Sequence, residues 1–509
     1  MGVTVYSEYG KDRQGSFFGL TGPRLVLLVA AGLPVVWALS RQQWPLLAAS
    51  AIGCVVLVVL VAIPIAVRPA VGWLAASLRF ALGSALGWTS FKARAAQGVA
   101  DELEQVDLRG VLDAVRVHDG PPLGADMRRV AIIQYHATRA WAVTAAVTHP
   151  GLALADAADR DGQGAGLTAL LDACLRTELV DEVQFRVRSV PDDGAEREQW
   201  LTRHHTPVAP ALARQVNDEL AVLLTSAAVR TEAFVTVIVP ERRLARVAKE
   251  NGRGIDGRAR ALGLVMTEVE SHLRTGLRMR QVTWLTSPEL AVAVRTGFAP
   301  GDRAGIVDAL TAAEHDPKLN AGVPWAMAGP SGADLAVRHY SHDAWNSISA
   351  TIKLPARGAV IGALAPVLAP TEPGERRSLL VAFPILAQTV ADPETASAEW
   401  AADMGEELRS RAGVRSRAGV RTRAKERIAL TRTRDMDARL ATGHALTRPY
   451  AVATVTVPKT VRVAESGRRL DASIRRAGFA PLRLDLAQDS GFAASTIPLG
   501  TSLLPGNQA

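Results

Sequence analysis

Val130-Ala131-Ile132-Ile133-Gln134-Tyr135-His136 and Trp141-Ala142-Val143-Thr144-Ala145-Ala146-Val147-Thr148 are two runs rich in β-branched and aromatic residues, separated only by residues 137–140. Such runs around a short break predict an antiparallel hairpin. Working outward, the pattern gives a helix near 164–178, a strand over 182–190, a polar connector over 191–206 and a helix over 207–229. A strand over 231–239, a helix over 257–273 and a strand over 279–285 follow. With a charged connector over 100–121 in front, this is an α+β unit spanning 101–300, its antiparallel hairpins covered by helices.

A second α+β region covers 301–509. It has a turn at 326–330, β-rich stretches over 336–354 and 379–383, and a helical pattern over 394–440 interrupted by Gly405, Gly413 and Gly419. A strand over 451–457, a helix over 462–477 and a short strand over 482–486 complete it.

The remaining residues point elsewhere. The chain has 509 residues, 48 % hydrophobic but only 5 % aromatic, with a mean hydropathy of +0.11. Residues 25–40 and 42–67 contain no charge, and Arg41 alone separates them. As helices these runs would be roughly 24 and 39 Å long, against a bilayer core near 30 Å. They predict a two-helix membrane hairpin over 25–67, turning at 41–45, where Pro45 suits the first turn of the returning helix. Lys11, Arg13 and Arg24 before it and Arg68, Arg79, Lys92 and Arg94 after it predict a multi-pass cell-membrane protein with both termini cytoplasmic. On this reading 1–24 is a cytoplasmic arm, and 68–100 holds an interfacial helix and linker. Residues 69–88 read as that interfacial helix, ahead of a buried helix of the following domain or a third span.

Chemistry-bearing motifs are sparse. Cys54 and Cys174, the only cysteines, cannot make a metal site alone and argue against a disulfide scaffold. No GxxxxGK[ST] loop occurs; Gly252-Arg253-Gly254-Ile255-Asp256-Gly257 lacks the Lys-Ser/Thr end that reaches phosphate and Mg²⁺, so it reads as a polar turn before a helix. His339, His342 and Asp343, and the pair His204-His205, match no zinc signature, and there is no GxSxG elbow. No catalytic, cofactor-binding or metal-ligating residue is therefore expected.

The charge pattern is more informative. Residues 409–439 hold eleven basic residues against Glu426, Asp435 and Asp437, a local net of +8 that equals the excess of the whole chain. Arg409, Arg411, Arg415, Arg417, Arg421, Arg423, Lys425 and Arg427 are the candidate surface for an acidic partner, anionic lipid or nucleic acid. The last is the less favoured because the segment carries no aromatic residue to stack on a base. A solvated helical face is the plainer alternative.

The ordered features resemble an actinobacterial family of membrane proteins associated with conjugation and type IV secretion. They are Phe18-Gly19-Leu20-Thr21-Gly22, Arg68-Pro69, Trp73, Gly87-Trp88-Thr89, the hairpin over 130–148, Ala328-Gly329-Pro330 and Ile497-Pro498-Leu499-Gly500. In outline the chain is similar to the small membrane-hairpin subunit of such systems joined to the N-terminal, non-motor domain of their secretion ATPase. The resemblance implies a non-catalytic, membrane-anchored scaffold or assembly component, with other secretion-apparatus membrane proteins and a separate ATPase as partners. A membrane-tethered nucleic-acid-binding protein is the alternative.

Overall fold

The hairpin forms with the expected alternation. In the computed structural model Arg128–Tyr135 and Ala140–Thr148 pair antiparallel, Ile133 opposite Ala142 and Tyr135 opposite Ala140. Trp141, Val143, Ala145 and Val147 enter one core while Ala142 enters another, as a period of two requires of a strand covered on both faces. The structure describes residues 33–386 and 445–503, apart from 63, 66–67, 100–102, 109, 125, 152–154, 205, 207, 317 and 354–358.

The hairpin belongs to a 14-stranded antiparallel sheet. Its strands are β1 (Ser90–Lys92), β2 (Val115–Leu123), β3 (Arg128–Tyr135), β4 (Ala140–Thr148), β5 (Glu182–Pro191), β6 (Val229–Pro240) and β7 (Gln281–Trp284). They continue with β8 (Gly332–Leu335), β9 (Tyr340–His342), β10 (Trp345–Lys353), β11 (Arg376–Leu386), β12 (Leu446–Thr447), β13 (Tyr450–Pro458) and β14 (Ala480–Arg483). The order across the sheet is β1-β8-β9-β10-β13-β11-β5-β6-β4-β3-β2, with β7, β12 and β14 pairing onto β4, β11 and β10. The edge strand β2 lies partly within the stretch read as a connector. Its Pro121 and Pro122 sit at a register shift, where an edge tolerates proline.

The longer helices among the described residues are α1 (Trp44–Ala62), α2 (Ala70–Ala85), α3 (Ala157–Arg176), α4 (Ala195–Arg203), α5 (Ala211–Ala227), α6 (Glu241–Glu250), α7 (Gly254–Thr275), α8 (Ser287–Phe298), α9 (Arg303–His315), α10 (Val463–Arg476) and α11 (Gln488–Thr496). Leu170 and Cys174 of α3, Leu244 of α6 and Leu262, Val265 and Leu273 of α7 bury against Val143, Val235 and Val237. Leu470 and Ile474 of α10 do the same against Ile348, Ile352 and Val455. On the opposite face, Leu290, Val294 and Phe298 of α8 join Phe492 of α11, Ile133 and Tyr135.

The pairing registers reveal an internal duplication. Ala140 opposes Pro240 as Trp345 opposes Pro458; Ala145 opposes Trp284 as Ala350 opposes Arg483; Glu182 opposes Ile238 as Arg376 opposes Thr456. The succession β2-β3-β4, β5, β6, β7 thus recurs residue for residue as β8-β9-β10, β11, β13, β14. The halves join where β5 lies antiparallel to β11, Ser189 opposite Arg377 and Val183 opposite Phe383, which places a pseudo-two-fold axis between these strands.

The predicted membrane hairpin is corrected. No helix among the described residues is long and apolar enough to cross a membrane. The turn after Arg41 is present, with Gln42 at φ 56°, but the run over 42–67 is not one helix. The 19-residue α1 ends at Ala62. Pro64–Ile65 then pairs antiparallel with Arg68–Pro69, folding the chain back at a proline, which breaks a helix. Residues 25–32 of the first run lie outside the described residues. The multi-pass cell-membrane placement and the cytoplasmic assignment of both termini depended on the hairpin and fall with it.

Candidate functional site

Polar residues gather where the halves meet, on the face under α8 and α11. Even-numbered residues of β5 point there, and Gln184, Arg186 and Arg188 are almost wholly buried. Arg186 donates from Nε to the Ala494 carbonyl (2.9 Å) and from Nη2 to Gln184 Oε1 (2.9 Å). Arg188 donates from Nη1 to the carbonyls of Ala293 (2.9 Å) and Thr496 (3.2 Å) and pairs with Glu232 (2.6 Å). Burial pulls the Arg186 guanidinium down to about 10, still charged at neutral pH. Burial alone raises Glu232, but Arg188, Arg230 and Arg376 overcome it and hold the carboxylate below its ordinary range. These cations are committed to backbone carbonyls, the Gln184 amide oxygen and one carboxylate, so the cluster fastens α8 and α11 to the sheet rather than presenting reactive groups.

The duplication extends to this layer. Thr144 and Thr236 share a hydrogen bond at 3.0 Å, and their counterparts Ser349 and Thr454 one at 2.7 Å. Tyr135 donates to the Leu499 carbonyl, while its counterpart His342 meets the Phe298 carbonyl at 2.8 Å. Each half thus grips the C-terminal end of α8 or α11, the helix that follows the last strand of the other half.

The candidate residues of the sequence do not converge. His342 is fully buried between Phe298 and Ser347 (Nε2 to Oγ 2.8 Å). Asp343 pairs with Arg295 (3.2 Å) and accepts from the Ser331 amide. His204 stacks on Trp200 at 4.4 Å; His205 lies outside the described residues. Cys174 packs in the core, and burial pushes its thiol up to about 12. Gly252 and Arg253 (φ 60°) form the turn into α7, and Gly254 and Gly257 lie in its first turn. Arg409, Arg411, Arg415, Arg417, Arg421, Arg423, Lys425 and Arg427 lie outside the described residues. The carboxylate oxygens of Asp192, Asp193 and Glu196 come within 4.8 Å of one another, but Arg303 donates to both Asp193 oxygens (2.7 and 2.9 Å) and pairs with Glu196, and Asp192 accepts from the Gly194 amide (3.2 Å).

The feature that sequence reading missed is the arm between β5 and β6. Part of it reads in the sequence as a polar connector, yet residues 195–203 form α4, favoured by Glu196 and Glu198 in its first turn and Arg203 in its last. Gln199 Nε2 donates to the Val307 carbonyl (3.2 Å), and Arg203 reaches Glu314 (3.2 Å), securing α4 to α9. Arg197 donates to the Ala221 carbonyl at 2.9 Å and ties on α5. Ahead of that tie every residue of α5 from 211 to 220 is exposed. Leu212 is 71 % exposed, Val216 and Leu220 45 % each and Leu223 64 %, at spacings that put them on one helix face.

No family model matches the chain, and no curated protein matches it. The resemblance to the conjugation and type IV secretion family is corrected accordingly. Its diffuse motifs gain no support from comparison, and the membrane-hairpin fusion it implied lacks a membrane-spanning helix among the described residues. The membrane-anchored assembly role and its membrane-tethered nucleic-acid-binding alternative are withdrawn with it.

Proposed function

We infer that this chain is a non-catalytic scaffold that docks another protein chain through the arm formed by α4 and α5. One observation carries this reading: three turns of an amphipathic helix show their apolar face to solvent. Isolated apolar side chains on a surface are ordinary, but an aligned stripe on a projecting helix is the form in which helices recognise one another. The duplicated sheet supplies a rigid base for it. The test places a photo-crosslinking residue at Val216 or, on the opposite face of α5, at Arg214, in cells producing the full chain. Adducts to protein at Val216 and none at Arg214 are expected; equal yields, or none at Val216, would refute the docking role.

A further inference from the structure

We propose that a phosphate-class oxyanion binds between α10 and the start of β11, held by Arg377, Arg469 and Arg476. Arg377 is 0 % exposed, and its Nη2 lies 2.7 Å from Glu375 Oε1. Glu375, itself buried, commits its other oxygen to the turn over 371–375. That oxygen accepts from the amides of Thr371 (3.1 Å) and Glu372 (3.2 Å) and from the Thr371 hydroxyl (2.8 Å). No protein acceptor among the described residues reaches Nε or Nη1 of Arg377, or Nε of Arg469. Leaving donors of a buried cation unmet is costly, so the arrangement calls for a further acceptor.

The other wall is α10. Ser466, Arg469, Ser473 and Arg476 recur at spacings of three and four and share one helix face. Arg469 Nη2 donates to Ser466 Oγ (2.9 Å) and Arg476 Nη2 to Ser473 Oγ (3.2 Å), both serines being fully buried. Arg469 Nε lies 3.8 Å from Glu375 Oε2. Burial pulls the Arg377 guanidinium below its ordinary value; Glu375 opposes this, and the like charges of Arg469 and Arg476 add to it. Three guanidinium groups thus gather about one carboxylate that is already engaged, and positive charge is in excess. Water would meet the donors without offsetting that charge, whereas an oxyanion does both. Three guanidinium groups also offer more donors than the two oxygens of a carboxylate can accept, which favours a tetrahedral phosphate. Arg469 is 28 % exposed and Arg476 is exposed, so the anion enters from their side.

The fold itself does not need the charge. In the duplicated sheet Arg377 opposes Val455 as Val183 opposes Val237, and Val183 is a fully buried hydrocarbon of the core. A buried ion pair is often no more stabilising than hydrocarbon of similar volume. A ligand accounts for the arginine where packing does not.

The test titrates the full chain with inorganic phosphate by calorimetry, against chloride at matched ionic strength. Arg469→Gln and Arg476→Gln remove the solvent-side donors, and Arg377→Met removes the buried one. Arg468→Gln, exposed on α10 and paired only with Glu465, is the control, and circular dichroism confirms that each variant is folded. The expected result is saturable binding that weakens at least about tenfold in each of the first three variants and is unchanged in Arg468→Gln. Glycerol phosphate as a second probe separates the sources: tighter binding than inorganic phosphate assigns the site to a phosphate ester, weaker binding to the free ion. Absence of saturable binding at millimolar phosphate overturns the proposal, as does equal affinity in Arg468→Gln and the two α10 variants. If Arg377→Met fails to fold, those two variants decide.

Discussion

Arg186 and Leu380 face each other across the two central strands and occupy the same place in the two halves of the duplicated fold. One position therefore carries a buried cation in the first half and a buried hydrocarbon in the second, both 0 % exposed. The difference lies in what each meets, because Arg186 binds the Ala494 carbonyl of α11 whereas Leu380 packs among Ala382, Val452, Leu484 and Ala494.

Replacing the arginine with its counterpart, Arg186→Leu, should lower the unfolding free energy by about 2–4 kcal/mol, since it strands the Ala494 carbonyl and the Gln184 amide oxygen in a buried layer. Urea unfolding measures this. A loss below about 0.5 kcal/mol, the level of an ordinary surface change, would show that the arginine does not fasten α11.

Leucines inside and outside the body should behave oppositely. Leu244, fully buried beneath α7, should cost about 2–5 kcal/mol as Leu244→Ala. Leu220→Ala on α5 should stay within about 0.5 kcal/mol in dilute protein. Comparable losses in paired denaturation curves would mean that α5 packs on the body.

Acid should unfold the protein partly through His342. Burial pushes its imidazole down to about 3, although the bond to the Phe298 carbonyl opposes this. The neutral ring donates from Nδ1 to that carbonyl and accepts from Ser347. The unfolded chain, with an ordinary value near 6.5, takes the proton first, so this contribution is whole above 6.5 and is lost as pH falls toward 3. The slope is up to about 1.4 kcal/mol per pH unit. His342→Gln should flatten the dependence between about pH 6 and about pH 4. Parallel profiles for the two proteins would contradict the assignment.

Cys174 should resist thiol reagents while the protein is folded, because burial raises its thiol to about 12 and leaves it 2 % exposed. Labelling should then follow global unfolding, speeding up in urea in step with the unfolding signal. Prompt labelling in buffer would show that α3 opens locally.

Much of the sheet was legible because its residues obey a simple period. The β3–β4 hairpin, β5, β6, β13 and the helices α7 and α10 lie where alternation and helical spacing put them. The duplication was hidden because it resides in backbone register, while equivalent side chains diverged: Arg186 against Leu380, Tyr135 against His342, Glu182 against Arg376. The α4 helix was hidden because Glu196, Arg197, Glu198 and Gln199 give it no apolar periodicity; its fastening comes from polar contacts to α9, far along the chain. The length of an apolar run misled at 42–67, where Pro64 ends what composition alone reads as continuous. No pattern marked the α5 stripe as exposed, since an amphipathic helix looks the same in sequence whether its apolar face meets its own core or another chain.

The docking claim is tested most directly by the mass of the particle that the full chain forms when purified under mild conditions, with and without Leu212→Glu and Leu220→Glu. The unaltered chain is expected to travel with at least one further protein chain. The double variant should run as a single chain with an unchanged unfolding midpoint. Identical mass distributions for the two proteins, both folded, would contradict it.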